Sequence, residues 1–288
     1  MRRREMLRTA GAAIAGLSAF PLRWVAGAEK KRKLLYFTRS AGFEHSVVKR
    51  NGDQLSHSEK VLTELGQRHG FEVECTKDGG VFDGDLGQFD AIAFYTSDVL
   101  TRPCKQPGQP MSQEGVKRLL DAVAGGKGFV AFHAATDSFH STGSQLTPYV
   151  AMVGGEFVTH GPQQVATMRV TSPGFPGMQG AGRSFQLNEE WYALKNFARD
   201  LHVILVQETA GMKGDCYQRP PFPATWARRH GKGRVYQTSL GHREDVWTNP
   251  MVQEIFLGGL AWAFGNVAVE IPANIDQVTP QASQMPKK

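Results

Sequence analysis

Apolar and polar positions along the chain follow two periods. Leu34–Thr38 is a short, almost unbroken apolar run and Phe71–Cys75 alternates with a period of two, so both read as strands. Between them, Leu55, Val61, Leu62 and Leu65 recur at helical spacing over Gln54–His69. Phe89–Tyr95 predicts a third strand, Ser112–Ala124 a helix capped by Ser112, and Gly128–Phe132 a fully buried strand. Strands alternating with helices predict an α/β fold: a mainly parallel central sheet with helices on both faces. The second half is richer in strands, at Gln164–Thr171, His202–Gln207, Ala224–Arg228 and Arg234–Thr238, before a helix over Pro250–Phe264. Part of the sheet there is expected to be antiparallel. The pair Gly231-Lys232 reads as a hairpin turn.

Composition alters this picture mainly through charge. The 288 residues carry a formal +6, which by itself would admit a nucleic-acid partner. The charge is local: residues 1–28 hold +4, the basic stub 29–33 holds +3, and residues 34–288 sum to −1. A nearly neutral body gives no electrostatic footprint for nucleic acid. The leader runs Arg2-Arg3-Arg4-Glu5-Met6-Leu7-Arg8, then a mostly apolar Thr9–Phe20, then Ala26-Gly27-Ala28. That order of basic, apolar and small residues is an export signal, and the Arg3-Arg4 pair gives it a twin-arginine character, so a periplasmic or secreted protein is expected. The apolar stretch is shorter than the roughly 20 residues that span a bilayer, so no stable membrane insertion is expected. The domain then covers 34–271, with a loosely ordered tail at 272–288. Three cysteines without C-x-x-C spacing exclude a zinc knuckle or thioredoxin-like motif.

Ligands of open α/β sheets bind beyond the carboxyl ends of the strands. His45, His133 and His242 each follow an apolar strand, His160 lies in Gly154-Gly155-Glu156-Phe157-Val158-Thr159-His160, and Asp137 closes the segment after Phe132. Imidazoles gathered at such a rim can ligate a metal or exchange protons near neutral pH. Asn188-Glu189-Glu190-Trp191-Tyr192 sets two acids beside two aromatics in a loop, suited to a sugar's hydroxyls and its apolar face. Gly- and Pro-rich loops at Pro103–Pro110, Pro173–Gly182 and Gly211–Pro223 are expected to form the rim. The absence of Gly-x-x-x-x-Gly-Lys-Ser/Thr argues against a nucleotide cofactor, and the absence of Gly-x-Ser-x-Gly argues against a serine hydrolase.

Taken in order, five segments resemble the ThuA-like (trehalose utilisation) family. They are Gly42–His45, Gly126–Asp137, Val153–His160, Glu189–Tyr192 and Trp226–His242. The resemblance implies a flavodoxin-like fold of the class I glutamine amidotransferase-like superfamily and a role in carbohydrate utilisation. It places His133 where the amidotransferases carry their nucleophilic cysteine, so glutamine hydrolysis is not implied, and it aligns His242-Arg243-Glu244 with their His-Pro-Glu. The expected catalytic residues are His133, Glu190 and His242. Asp137, Trp191, Tyr192 and Glu244 are expected to bind substrate, and some of His45, His133, His160 and Glu190 to hold a divalent metal. The substrate is expected to be a sugar or a 3-keto-glycoside, and a non-catalytic sugar-binding protein is the alternative.

Overall fold

A computed structural model of the chain describes residues 31–286. The expected export signal at residues 1–28 therefore lies outside the described residues. In chain order the strands are β1 (Arg32–Phe37), β2 (Phe71–Thr76), β3 (Ala91–Phe94), β4 (Gly128–Phe132), β5 (Glu156–His160), β6 (Gln164–Val170), β7 (Ser184–Glu189), β8 (Tyr192–Lys195), β9 (His202–Gln207), β10 (Phe222–His230) and β11 (Gly233–Thr238). The α-helices are α1 (His57–His69), α2 (Gln113–Ala124), α3 (Pro148–Val153), α4 (Glu244–Thr248), α5 (Pro250–Ala263) and α6 (Ile275–Val278).

Nine strands form one sheet in the order β2-β1-β3-β4-β11-β10-β9-β6-β7, and β5 pairs with β8 in a small second sheet. The expectation of a mainly parallel sheet needs correction. The four junctions from β2 to β11 are parallel, and the four from β11 to β7 are antiparallel. The physical reason lies in the connections: the hairpin at Gly231-Lys232 joins β10 to β11 directly, without the crossover that parallel pairing requires.

Burial separates the two halves. Every residue of β3 and β4 is buried, as expected of strands covered on both faces. In β7 exposed positions alternate with half-buried ones, the pattern of a sheet with one wet face. Helix α1 opens on a capping box, Ser56 accepting from the Glu59 N–H while the Glu59 carboxylate accepts from the Ser56 N–H, and it closes on Gly70 at φ 78°. Ser112 caps α2 as its sequence indicates.

Three further expectations change. Arg32 and Lys33 of the basic stub are the first residues of β1, paired with Asp90 and Glu74. The tail at 272–288 is packed as far as it is described: Ile275, Thr279 and Ala282 are buried. Asn274 Oδ1 accepts from Val203 N–H at 2.6 Å, and Arg219 donates to the Ala282 carbonyl. These side-chain bonds to the backbone replace the periodicity that the segment lacks. The Pro173–Gly182 loop packs on α5, where Gly258 leaves no room for a side chain against Pro176, so it is not part of the rim.

Candidate functional site: a histidine and glutamate cluster

Each histidine of the cluster is delivered by backbone that the strands hold rigidly. His133 begins a 3-10 turn directly after β4 and sits at φ 37°, a left-handed conformation that is costly for any residue but glycine. Its Nδ1–H donates to the Ser239 carbonyl at 2.8 Å, which fixes the tautomer and leaves Nε2 with a free lone pair. His45 precedes the short turn Ser46–Val48 beyond β1, with its ring edge-on to His133 and His242, both at 5.1 Å. His242 follows Gly241, whose φ of 119° is closed to ordinary side chains. The Gly241 carbonyl accepts from Trp247 Nε1 at 2.7 Å and from the Tyr95 hydroxyl at 3.2 Å.

Glu190 comes from the other half of the sheet, at the turn between β7 and β8. Its Oε2 lies 3.0 Å from His242 Nδ1, 3.5 Å from His133 Nε2 and 3.8 Å from His45 Nε2, and its Oε1 lies 3.3 Å from His160 Nδ1. Burial alone would raise the carboxyl pKa, but contacts with His133, His242 and His45 outweigh it and hold Glu190 far below the usual carboxylate range. Burial drives the imidazoles the other way, lowering His133 to about 4 and His45 below its ordinary value, with Glu190 opposing in both. The group is thus one carboxylate among imidazoles, with the neutral form of His133 and His45 favoured by burial.

Glu189, beside it, is wholly buried and does different work. It accepts from the Gly241 N–H at 2.6 Å, the His242 N–H at 2.7 Å and the Glu190 N–H at 3.1 Å. It therefore ties the His242 loop to the end of β7. Burial pushes its carboxyl up to about 7 against those three bonds.

The structure brings His45, His133, His242 and Glu190 together, with one donor atom from each lying within 4.8 Å of the others. His45 Nδ1, His133 Nε2 and His242 Nδ1 are buried without a hydrogen bond. Three imidazoles, one carboxylate and orphaned ring nitrogens are a donor set that could hold a divalent metal such as zinc. His160, expected in that set, instead flanks it from the end of β5 with its side chain 44% exposed, bonded to the Gly161 carbonyl.

Other expected site residues lie differently. Trp191 is fully buried and donates from Nε1 to the Gln164 carbonyl, so it holds the turn and cannot stack on a ligand. Tyr192 is buried as well, with its ring 4.2 Å from that of His133 and its hydroxyl 3.3 Å from His45 Nε2. Trp226 and Trp247 are core. Glu244 accepts from the Ser46 hydroxyl at 2.6 Å and links α4 to the His45 loop. The aromatic residue that is open to solvent beside the cluster is Phe43, 68% exposed and edge-on to His45 at 4.9 Å. Its place in Gly42-Phe43-Glu44-His45 was the only signal for it in the sequence. Cys75, Cys104 and Cys216 are free thiols.

This cluster and its scaffold fall within residues 33–263, the span matched by the family model ThuA, trehalose utilisation. The chain belongs to the ThuA family. Solved structures agree at the level of fold. A ThuA-like protein from Bacteroides uniformis superposes with a TM-score of 0.61 at 18% identity, over 82% of this chain and 93% of that one. A ThuA-like protein from Parabacteroides merdae gives 0.62 at 16% identity, over 90% and 98%. No curated protein matches the chain. No helix among the described residues is long and apolar enough to cross a membrane.

Proposed function

We propose that this ThuA family member is an exported enzyme of carbohydrate utilisation that acts on a sugar or a 3-keto-glycoside as a hydrolase or isomerase. The observation that carries this reading is the convergence of His45, His133, His242 and Glu190 from four separate segments on one buried point. A structural role alone does not account for three buried imidazole nitrogens left without hydrogen bonds. The strand order β2-β1-β3-β4-β11 supports the flavodoxin-like assignment, since it is the doubly wound order of that fold. Export rests on the leader at residues 1–28.

Divalent metal held by these four residues would supply a Lewis acid for a carbonyl or hydroxyl oxygen. The protein's own part is to present the rings in one tautomer, exclude water and move protons. His133 suits the first task, locked by Ser239. His242 suits proton exchange, being the one of the three clustered imidazoles with an opening to solvent. Glu190, ionised and hemmed in by imidazoles, supplies negative charge.

A metal-free acid and base centre is the second reading, and one contact favours it. Gln163 Oε1 accepts from Arg243 at 2.9 Å, so its amide nitrogen faces His242 Nε2 at 2.9 Å and leaves the ring proton on Nδ1, beside Glu190. The binding-only alternative is weakened, because the aromatic residues it relied on are buried. Elemental analysis of the exported protein separates the first two readings. Glu190→Gln and His133→Asn should each lower turnover of 3-keto-glycosides by more than about 100-fold, beyond the ~10–100-fold typical of supporting residues. Thermal unfolding of both should stay close to the parent; collapse of folding in both would mark the cluster as structural.

A further inference from the structure

Glu190 is a poor proton acceptor, because four imidazoles surround it and none of them leaves it free for a substrate. A second carboxylate stands nearby on the turn that carries His133. Asp137 closes that turn, and its own carbonyl accepts from the Asp98 N–H at 2.7 Å, which ties the turn to the chain beyond β3. Asp137 Oδ1 lies 2.6 Å from His140 Nε2, and no described residue bonds Oδ2. One 3-10 turn carries His133 at its start and Asp137 at its end, which sets this carboxylate at the border of the cluster.

Behind Asp137 the string continues inward. His140 Nδ1 lies 3.2 Å from Glu156 Oε1, and Glu156 is buried, accepting from the Ser141 N–H at 2.9 Å and from the Asn196 amide at 2.7 Å. With both ring nitrogens facing carboxylates, His140 is favoured in its doubly protonated form. The Asp137 hydrogen bond is the largest cause, and it raises the ring above its ordinary value. A carboxylate oriented by a cationic imidazole, itself anchored on a buried carboxylate, has the layout of a positioned base.

We infer that Asp137 is the proton acceptor for the substrate and that His140, anchored by Glu156, is the positioning residue that orients it. The inference rests on the functional reading above. On a 3-keto-glycoside the C–H bond next to the ketone breaks, its proton passes to an Asp137 oxygen, and the electron pair stays on the substrate as an enolate. Return of the proton restores both partners, so no oxidant or reductant enters.

The test is hydrogen exchange in D2O, using the intact protein and methyl 3-keto-glucoside, read by NMR as loss of the signal from the carbon next to the ketone. The parent should exchange it. Asp137→Asn should slow exchange by about 100-fold or more, within the usual range of ~10²–10⁴ for a general base, and Asp137→Glu should recover part of the rate. His140→Gln should slow exchange by about 10-fold through kcat with KM for the keto-sugar unchanged, because the base is present but no longer held in place. Unfolding temperatures measured alongside identify any variant that merely misfolds. No exchange by the parent would overturn the keto-sugar reading, and this inference with it. Exchange by the parent and equally by a folded Asp137→Asn would overturn the inference alone. An unchanged rate in His140→Gln, or a loss carried by KM alone, would overturn the positioning role.

Discussion

The parallel and antiparallel halves of the sheet feed the same site by different physics. In the parallel half, strands buried on both faces end in tight, hydrogen-bonded turns, and His45, His133 and His242 leave from those ends. In the antiparallel half, β7 is alternately wet and half-buried, and the turn after it swings Glu190 into the cluster while Glu189 pins the His242 loop. One half supplies imidazole rings on a rigid base and the other supplies the carboxylate. A site divided in this way needs both halves docked before it exists, and the His242 loop is itself held by Glu189 of the other half.

The contrast in packing is the largest effect to test. Phe94 in β3 sits among Phe37, Phe82, Phe129 and Tyr149, with ring centroids 5.1–6.0 Å away. Phe94→Ala should cost about 3–5 kcal/mol in chemical denaturation. Leu187→Ala in β7, a half-buried position, should cost only about 1 kcal/mol, near the average for point mutants; equal losses would erase the difference between the halves.

A smaller effect concerns backbone strain at the turn that carries His133. At φ 37° asparagine is tolerated and a β-branched residue is not. His133→Val should therefore unfold about 1–2 kcal/mol more easily than His133→Asn. If the two match, the turn relaxes without cost and the histidine's placement is not rigid.

The smallest effect compares two ion pairs. Buried Glu59 accepts from Arg50 Nε and Nη2, each at 2.8 Å. Burial alone would raise the Glu59 pKa, but Arg50, Thr38 and the Ser56 N–H outweigh it and hold the carboxyl below its ordinary 4.5. A folded value below the unfolded one means that the contribution is full above about pH 4.5 and is lost as the pH falls through the folded value. Glu59→Gln should flatten that acid limb of the stability profile. Glu208→Gln, in the more exposed pair with Arg169 of the antiparallel half, should change stability by less than about 1 kcal/mol at any pH.

Much of this was legible in the residues. The strands β4 and β9 and the Ser112 cap stand where their periodicity puts them, because a fully apolar run or a Ser before a helical stripe has one favourable arrangement. Strands β5 and β7 escaped because they are half-wet and β8 because it has only four residues, and all three are fixed by cross-strand pairing outside any short window of sequence. The five-segment resemblance identified the family, and the comparison of folds agrees with it.

By itself the sequence determined the α/β class, the family, a net positive charge carried entirely by the first 33 residues, and which imidazoles end the parallel strands. Those properties follow from local periodicity and from strand direction. Only the tertiary structure decided that His242 and not His160 completes the set with His45, His133 and Glu190, that Trp191 is buried while Phe43 is open, and that Glu189 is a brace. These depend on how the β7–β8 turn crosses to the other half of the sheet. Such a crossing is set by packing between residues that no short window of sequence contains.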